Sequence, residues 1–312
     1  MKILYFDPVV ETAISSNYRY YDGIYKQLIK KHQVGLIRDI PDNIQKICER
    51  NNFQANFVVF GLGWFNNKYF SKIDGINIPS ICILFKPQND LEEKLIFCQT
   101  NKIDLLLTPN PEFDEYERTT GVKSRLLPYG FDPGIFFDRK LKKTIDVGFS
   151  GALHENKHYP NGAFLTKNIR TKIGNILKNR NDINTFWSSS DKQLARIPSY
   201  DEYAKKINTS KIWIATQAAF GDITPRYYEI AASGTLLFCQ KIPKQYKHIF
   251  KDGENCVEFD HNLSDFEKKM DYYLKNEEER NKIIENAYNE FVENHTWKNR
   301  AQQLIKHIEE LS

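Results

Sequence analysis

Nothing in the sequence approaches the roughly 18 consecutive apolar residues of a membrane-spanning helix. The apolar opening, Met1 to Phe6, runs into Asp7-Pro8 too early for a secretion signal, so the chain is expected in the cytoplasm. Five cysteines (Cys48, Cys82, Cys98, Cys239 and Cys256) are scattered without a C-x-x-C pair or histidine at zinc spacing. That excludes a disulfide framework and a metal knuckle, and leaves reduced, mostly buried thiols as the expectation. Also missing are G-x-x-x-x-G-K-[ST], G-x-S-x-G and D-x-D. Their absence removes P-loop nucleotide hydrolases, serine α/β-hydrolases and sugar transferases that hold a metal through D-x-D. Charge of one sign is scarce too: 44 basic against 40 acidic residues leave a formal +4. That is too little to demand a nucleic-acid partner, although it suits an anionic small substrate.

What is present is an ordinary folded composition, 41% hydrophobic and 13% aromatic against 27% charged. At 312 residues the chain exceeds one core and predicts two domains. Short apolar runs alternate with longer amphipathic stretches, the pattern of parallel strands joined by helical crossovers. Strands are expected at Ile3 to Phe6, Val34 to Ile37, Phe57 to Phe60, Ile81 to Phe85, Leu105 to Thr108 and Ser124 to Leu127. Helices are expected between them, at Tyr20 to Lys31, Pro41 to Asn51 and Leu91 to Thr100.

The segment Leu127 to Gly134 packs two prolines and two glycines into eight residues, through which neither helix nor strand can run. The domain boundary is therefore set at 137/138. Beyond it strands are expected at Asp146 to Phe149, Ile183 to Phe186, Ile212 to Thr216, Thr235 to Phe238 and Cys256 to Phe259, with charged helices from Ser264 onward. Neither a 20-to-50-residue repeat nor a low-complexity tract interrupts the pattern. The predicted fold class is α/β, two doubly wound domains facing each other, with ligands beyond the carboxyl ends of the strands in an interdomain cleft.

The run from Gly221 to Thr235 carries the most chemistry. Thr224 is a good N-cap, Pro225 fits the first helical position, and Gly234 ends the helix before an apolar strand. A helix start of this kind favours a diphosphate. Arg226 and Glu229, three apart, share a face. A guanidinium near phosphates and a carboxylate accepting two ribose hydroxyls would grip a nucleotide from both ends. Taken alone, the pair would be a surface contact worth a few tenths of a kcal/mol. The small residues Ala231, Ala232, Ser233 and Gly234 argue instead for a helix pressed against a sheet.

Three stretches together, Arg226-Tyr227-Tyr228-Glu229-Ile230-Ala231-Ala232-Ser233-Gly234, Phe250 to Val257, and His295-Thr296-Trp297-Lys298-Asn299-Arg300, resemble the C-terminal domain of group 1, family 4-like GT-B glycosyltransferases. The similarity runs from about Leu127 to the C-terminus and is closest to the spore-maturation-protein-like branch. The resemblance implies two Rossmann-like domains and transfer of a sugar from a nucleotide-sugar donor to an acceptor hydroxyl, with no metal or other cofactor. It assigns the donor ribose to Glu229 and the diphosphate to the adjoining helix start, so that Gly151, Asp222, Thr224, Pro225, Tyr227 and Glu229 form the donor set. Where many relatives carry a second glutamate, eight positions earlier, this chain has Gly221 with Asp222 beside it. The last helix, near Lys298 to Leu311, folds back onto the first domain in the family. The first domain is expected to hold the acceptor, a glycan, lipid-linked or small molecule.

His154-Glu155-Asn156-Lys157-His158 matches H-E-x-x-H. Pro160 and Gly162 break the helix that a zinc site needs, and no acidic third ligand follows until Asp182, so zinc is rejected. In the loop after the first strand of the second domain, His154, Lys157 and His158 are instead placed to neutralise the departing diphosphate beside Arg226. Asp90 is read first as a helix cap and second as a base for the acceptor hydroxyl. Ser15, Ser16, Asn17 and Tyr18 are acceptor-side candidates. Trp187 is weighed between a nucleobase pocket and plain packing. Gly61-Leu62-Gly63 lacks the third glycine of a dinucleotide fingerprint and is read as a cleft-lining loop. Two other readings compete: a protein of this fold that binds a nucleotide or glycan without turnover, and a transferase acting on modified DNA bases.

Overall fold

The structure is a computed structural model that describes residues 1–7, 22–38, 43–62, 72–87, 90–151, 163–188, 197, 199–218 and 221–311, of which 163–168 by backbone alone. The chain divides into two compact units, Met1–Gly130 with Trp297–Ser312, and Phe131–Thr296.

The first unit holds a six-stranded parallel sheet in the order β2-β1-β3-β4-β5-β6. Its strands are β1 (Lys2–Phe6), β2 (Gln33–Ile37), β3 (Phe57–Leu62), β4 (Ser80–Leu84), β5 (Leu105–Thr108) and β6 (Ser124–Leu126). The central strands β3, β4 and β5 are buried at every position, as expected of a parallel sheet covered on both faces. Helices α1 (Gly23–Leu28), α2 (Ile44–Arg50), α3 (Leu91–Thr100) and α4 (Phe113–Thr120) connect them. The helix α10 (Trp297–Glu310) joins this unit through Trp297, which lies over Gly23 so closely that a Cβ there would enter the indole ring. Arg300, 2% exposed, donates Nε to the Tyr129 carbonyl at 2.8 Å.

Two local expectations fail here. Asp90 occupies the N-cap position of α3, but its backbone is left-handed (φ 54°) and its side chain makes no capping bond. The cap of α2 is Asn43, whose side chain accepts from the Lys46 N–H, so that helix begins later than Pro41. Short polar side chains compete for such termini, and the sequence does not say which backbone conformation each adopts.

The second unit holds a five-stranded parallel sheet in the order β11-β10-β9-β7-β8. Its strands are β7 (Ile145–Ser150), β8 (Thr185–Ser188), β9 (Ser210–Ala215), β10 (Leu236–Gln240) and β11 (Val257–Phe259). Helix α5 (Ala163–Lys178) packs Ile169, Ile173 and Leu177 against Val147, Phe149, Ile212 and Ile214 in one core. Helices α6 (Tyr200–Asn208), α7 (Pro225–Ala231), α8 (Phe266–Lys275) and α9 (Glu277–Asn294) complete the unit. Strand β8 starts two residues later than expected, because Asn184 is used to bind the entry of β7 through the Thr144 carbonyl and Asp146. Trp187 therefore falls inside the strand and stacks on Phe149, ring centroids 4.2 Å apart, which makes it a packing residue. The cysteines are free thiols, four of them buried and Cys48 half-buried. Among the described residues no helix is long and apolar enough to cross a membrane.

Gly148 in β7 shows how tightly neighbouring strands meet, since a Cβ added there would land in the ring of its β9 partner Trp213. Gly148→Ala is expected to cost about 1–3 kcal/mol by overpacking. A urea midpoint equal to wild type would contradict that packing.

Candidate functional site

In the second unit the chain leaves β7 outward to β8 and returns on the other side to β9. Neighbouring parallel strands thus diverge in connection between β7 and β9. Their carboxyl ends form the switch point at which open α/β sheets bind ligands. Gly151, buried just past β7, donates its N–H to the Ser188 carbonyl at 3.0 Å. A Cβ on it would come within 2.9 Å of Phe149 and 3.5 Å of an Arg170 nitrogen. Arg170 of α5 is only 7% exposed and crosses the same point, donating Nε to Thr216 Oγ1 at 2.7 Å.

The next element enters from Gly221, whose φ of +75° suits the residue. The Ala218 N–H closes the loop on the Asp222 carbonyl at 3.0 Å, and Asp222 is buried. Thr224 then sits at the N-cap of α7 in extended conformation with Pro225 at the first helical position. The expected capping bond is not made. The Tyr227 N–H, which such a cap would bind, is taken by the Thr224 carbonyl at 3.1 Å. Thr224 Oγ1 is left buried without a hydrogen-bond partner among the described residues.

Helix α7 is short, seven residues, and almost wholly sunk into the unit. Tyr227 and Tyr228 meet Phe250 edge-on at 5.7 and 5.2 Å. Ala231, Ala232 and Ser233 are fully buried, and Ser233 Oγ donates to the Glu229 carbonyl at 2.7 Å. This depth disposes of the surface-pair alternative: Glu229 is 1% exposed, while Arg226 remains half-buried. Lys143 fixes the far end by reaching the carbonyls of Gly234 (2.5 Å) and Asn208 (2.7 Å) and Thr235 Oγ1 (3.1 Å), binding the ends of α7 and α6 together. Burial lowers its pKa to about 8.

Burial pushes the Glu229 carboxyl up to about 8, against the pull of the Arg226 charge and of the Tyr203 hydroxyl. Its Oε2 has no hydrogen-bond partner among the described residues. A buried acid with an uncommitted oxygen costs stability unless something outside the fold completes it. Tyr227, itself buried, feels both Arg170 and Arg226.

Of the expected residues, Gly151, Asp222, Thr224, Pro225, Arg226, Tyr227 and Glu229 all belong to the second unit, with Arg226, Tyr227 and Glu229 on one helix. Asp90 is exposed in the first unit. His154, Lys157 and His158, like Ser15, Ser16, Asn17 and Tyr18, lie outside the described residues. Among the described residues no group of three His, Cys, Asp or Glu could hold a metal ion. Sequence reasoning missed Arg170 and Tyr203. Arg170 interrupts the apolar face of α5 between Ile169 and Ile173, a usable signal; Tyr203 reads as one more apolar position of α6.

With the two parallel sheets and this site described, the architecture is that of GT-B glycosyltransferases, which have two Rossmann-like domains. Residues 165–306 match the family model described as glycosyl transferase-like. Across the whole chain the structure is similar to a sucrose-phosphate synthase from Thermosynechococcus elongatus (TM-score 0.63, 12% identity, covering 100% of this chain and 99% of that one). It is also similar to Anabaena HepE in complex with UDP-glucose (TM-score 0.60, 10% identity, 99% and 100% covered). A glycosyltransferase from Rickettsia africae aligns as well (TM-score 0.59, 12% identity, 99% and 98% covered). Among curated proteins no sequence match is found.

Because the folded-state pKa of Glu229 lies above that of an unfolded glutamate, the native protein keeps a proton that the unfolded chain releases. Its stability contribution is intact below about pH 4.3 and is lost as pH rises toward 8. Glu229→Gln, which is never charged, should melt above wild type at pH 8.5 by about 4 °C, the gap closing toward pH 5. Parallel Tm-versus-pH curves for the two proteins would contradict the assignment.

Proposed function

We propose that this chain is a glycosyltransferase of the hexosyl type that takes a sugar from a nucleoside-diphosphate donor bound in the second unit. The observation that carries the reading is Glu229: a carboxyl buried on α7 whose Oε2 has no hydrogen-bond partner among the described residues. A ribose diol offers two O–H donors at the right spacing for one carboxylate. Anabaena HepE, of the same fold, is known in complexes with UDP and UDP-glucose, which supports a donor of that class. Gly221 at the position of the early glutamate supports the spore-maturation-protein-like branch.

In transfer the bond between the anomeric carbon and the diphosphate oxygen breaks, and the acceptor hydroxyl oxygen bonds to that carbon as its proton leaves. Charge then builds on the diphosphate, and the Arg226 guanidinium at the start of α7 stands to neutralise it. His154 and Lys157, which follow β7 in sequence, would share the task in a transfer that needs no metal. Asp90 stays the candidate base for the acceptor, which would be a glycan, lipid-linked or small-molecule hydroxyl. In this reading the chain is a cytoplasmic enzyme that meets a nucleotide-sugar pool.

Binding a ribose diol favours the ionised carboxyl, so donor binding releases a proton from Glu229 below pH 8. Nucleotide affinity should therefore tighten from pH 6 to 8 in wild type and stay flat in Glu229→Gln. Glu229→Ala is expected to weaken donor binding about 10- to 100-fold, the scale of charge-assisted hydrogen bonds. Arg226→Ala should slow transfer by a similar factor. A thermal-shift screen against UDP-, GDP-, dTDP- and CMP-sugars, followed by donor hydrolysis, makes the measurement. No shift with any donor, or wild-type behaviour of both variants, would overturn the proposal. Binding without turnover would favour a glycan- or nucleotide-binding role.

A further inference from the structure

Helix α5 turns Ile169, Ile173 and Leu177 into the core of the second unit, and Arg170 stands among them only 7% exposed. A guanidinium keeps its charge on burial, so acceptors have to hold it in place. One edge of the group is held in this way. Nε donates to Thr216 Oγ1 at 2.7 Å, and Nη2 lies 3.4 Å from the Gln217 carbonyl. Thr216, fully buried, is the first residue past β9. Gln217 is itself fixed to the end of β10: its N–H donates to Gln240 Oε1 at 3.1 Å and its Nε2 to the Lys241 carbonyl at 2.7 Å. The guanidinium is therefore anchored to the end of a sheet, which sets its plane.

The remaining nitrogen faces the neighbouring strand. Nη1 stands 3.5 Å from the point that a Cβ on Gly151 would occupy, and Gly151 is the first residue past β7. With glycine there, main chain and guanidinium meet with no side chain of residue 151 between them; any other residue would also meet the Phe149 ring at 2.9 Å. The Gly151 N–H is already given to the Ser188 carbonyl at 3.0 Å, so donors at this point come from Arg170 rather than from that amide. Bare main chain beside a fixed cation admits a ligand closely, and it lies at the carboxyl ends of β7 and β9, where open α/β sheets bind ligands. The end of an arginine is a planar fork, Nη1 with the second hydrogen of Nη2, that fits two oxygens of one phosphate.

We propose that Arg170 is a phosphate-binding residue of the candidate donor site, its terminal nitrogens taking phosphate oxygens over Gly151 at the ends of β7 and β9. This rests on the reading of the second unit as the donor site, and it deepens that reading toward a ligand with two phosphates. Arg226 opens α7 and Arg170 spans β7 and β9, so a diphosphate finds two cations in the same unit. A monophosphate has use for only one of them.

The test uses inorganic pyrophosphate, which carries two phosphates without base, ribose or sugar, titrated by calorimetry into the full chain. Arg170→Met keeps the apolar stem and removes the donors. It should bind pyrophosphate about 10- to 100-fold more weakly, the range for lost charge-assisted hydrogen bonds. Thr216→Val removes the hydroxyl that holds Nε but leaves the guanidinium, so its affinity should stay within about threefold of wild type. Were Arg170 only a stitch between β9 and β7, both variants would lower Tm and neither would change pyrophosphate affinity. Gly151→Ala keeps Arg170 and sets a methyl against Nη1; it should weaken pyrophosphate as Arg170→Met does, and it serves if that variant does not fold. Wild-type affinity in Arg170→Met or in Gly151→Ala, or no binding of pyrophosphate by wild type at millimolar concentration, would overturn the proposal. Because pyrophosphate has no nucleoside, its binding alongside rejection of every nucleotide sugar would keep the role of Arg170 and sink the donor reading. UDP bound equally by wild type and Arg170→Met would do the reverse.

Discussion

Everything assigned to the second unit depends on one carboxyl being kept out of water. A glutamate that is 1% exposed is costly to ionise, and the fold offsets that cost only in part, with one guanidinium and one phenol. Structural carboxylates are ordinarily satisfied by several donors or left at the surface. Glu229 has neither arrangement, and its neighbours explain why the position persists. The two tyrosines that precede it pack on Phe250, and Tyr228 on Phe291 as well, so α7 cannot rotate the acid outward without dismantling an aromatic core.

That core makes the site a rigid construction. Lys143 fastens the ends of α6 and α7 at the amino ends of the strands, and the small residues after Glu229 let α7 lie against β10. Arg170 and Gly151 occupy the mouth of the switch point, where a larger residue than glycine would meet both Phe149 and the guanidinium. Binding groups held this way lose little freedom when a ligand arrives, which is the physical basis of preorganised recognition.

Much of this was legible beforehand, and the reasons are uneven. Strands such as β3, β4 and β9 are continuous apolar runs buried on both faces, so their hydrophobicity alone locates them within a residue or two. Pro225 and the small-residue run foretold the start and the depth of α7. Termini were harder: Asp90 and Thr224 both occupy cap positions, yet neither side chain caps, because backbone conformation and a competing carbonyl decide that locally. Tyr203 escaped notice for a different reason. Its ring follows the apolar pattern of α6, and only the fold reveals that its hydroxyl is buried without a hydrogen-bond partner among the described residues.

The route of the backbone has its own consequence. Along the sequence the second unit is an insertion in the first, since the chain departs after Gly130 and returns at Trp297. An isolated β-bridge between Phe131 and Thr296 brings its entry and exit segments side by side. Emerging from the ribosome, the first sheet must therefore wait for the final segment, the one carrying Trp297 and Arg300, before its outer layer is whole, while the inserted unit already has all its strands. A chain truncated near its end would keep every strand of the second unit and lose the helix that completes the first.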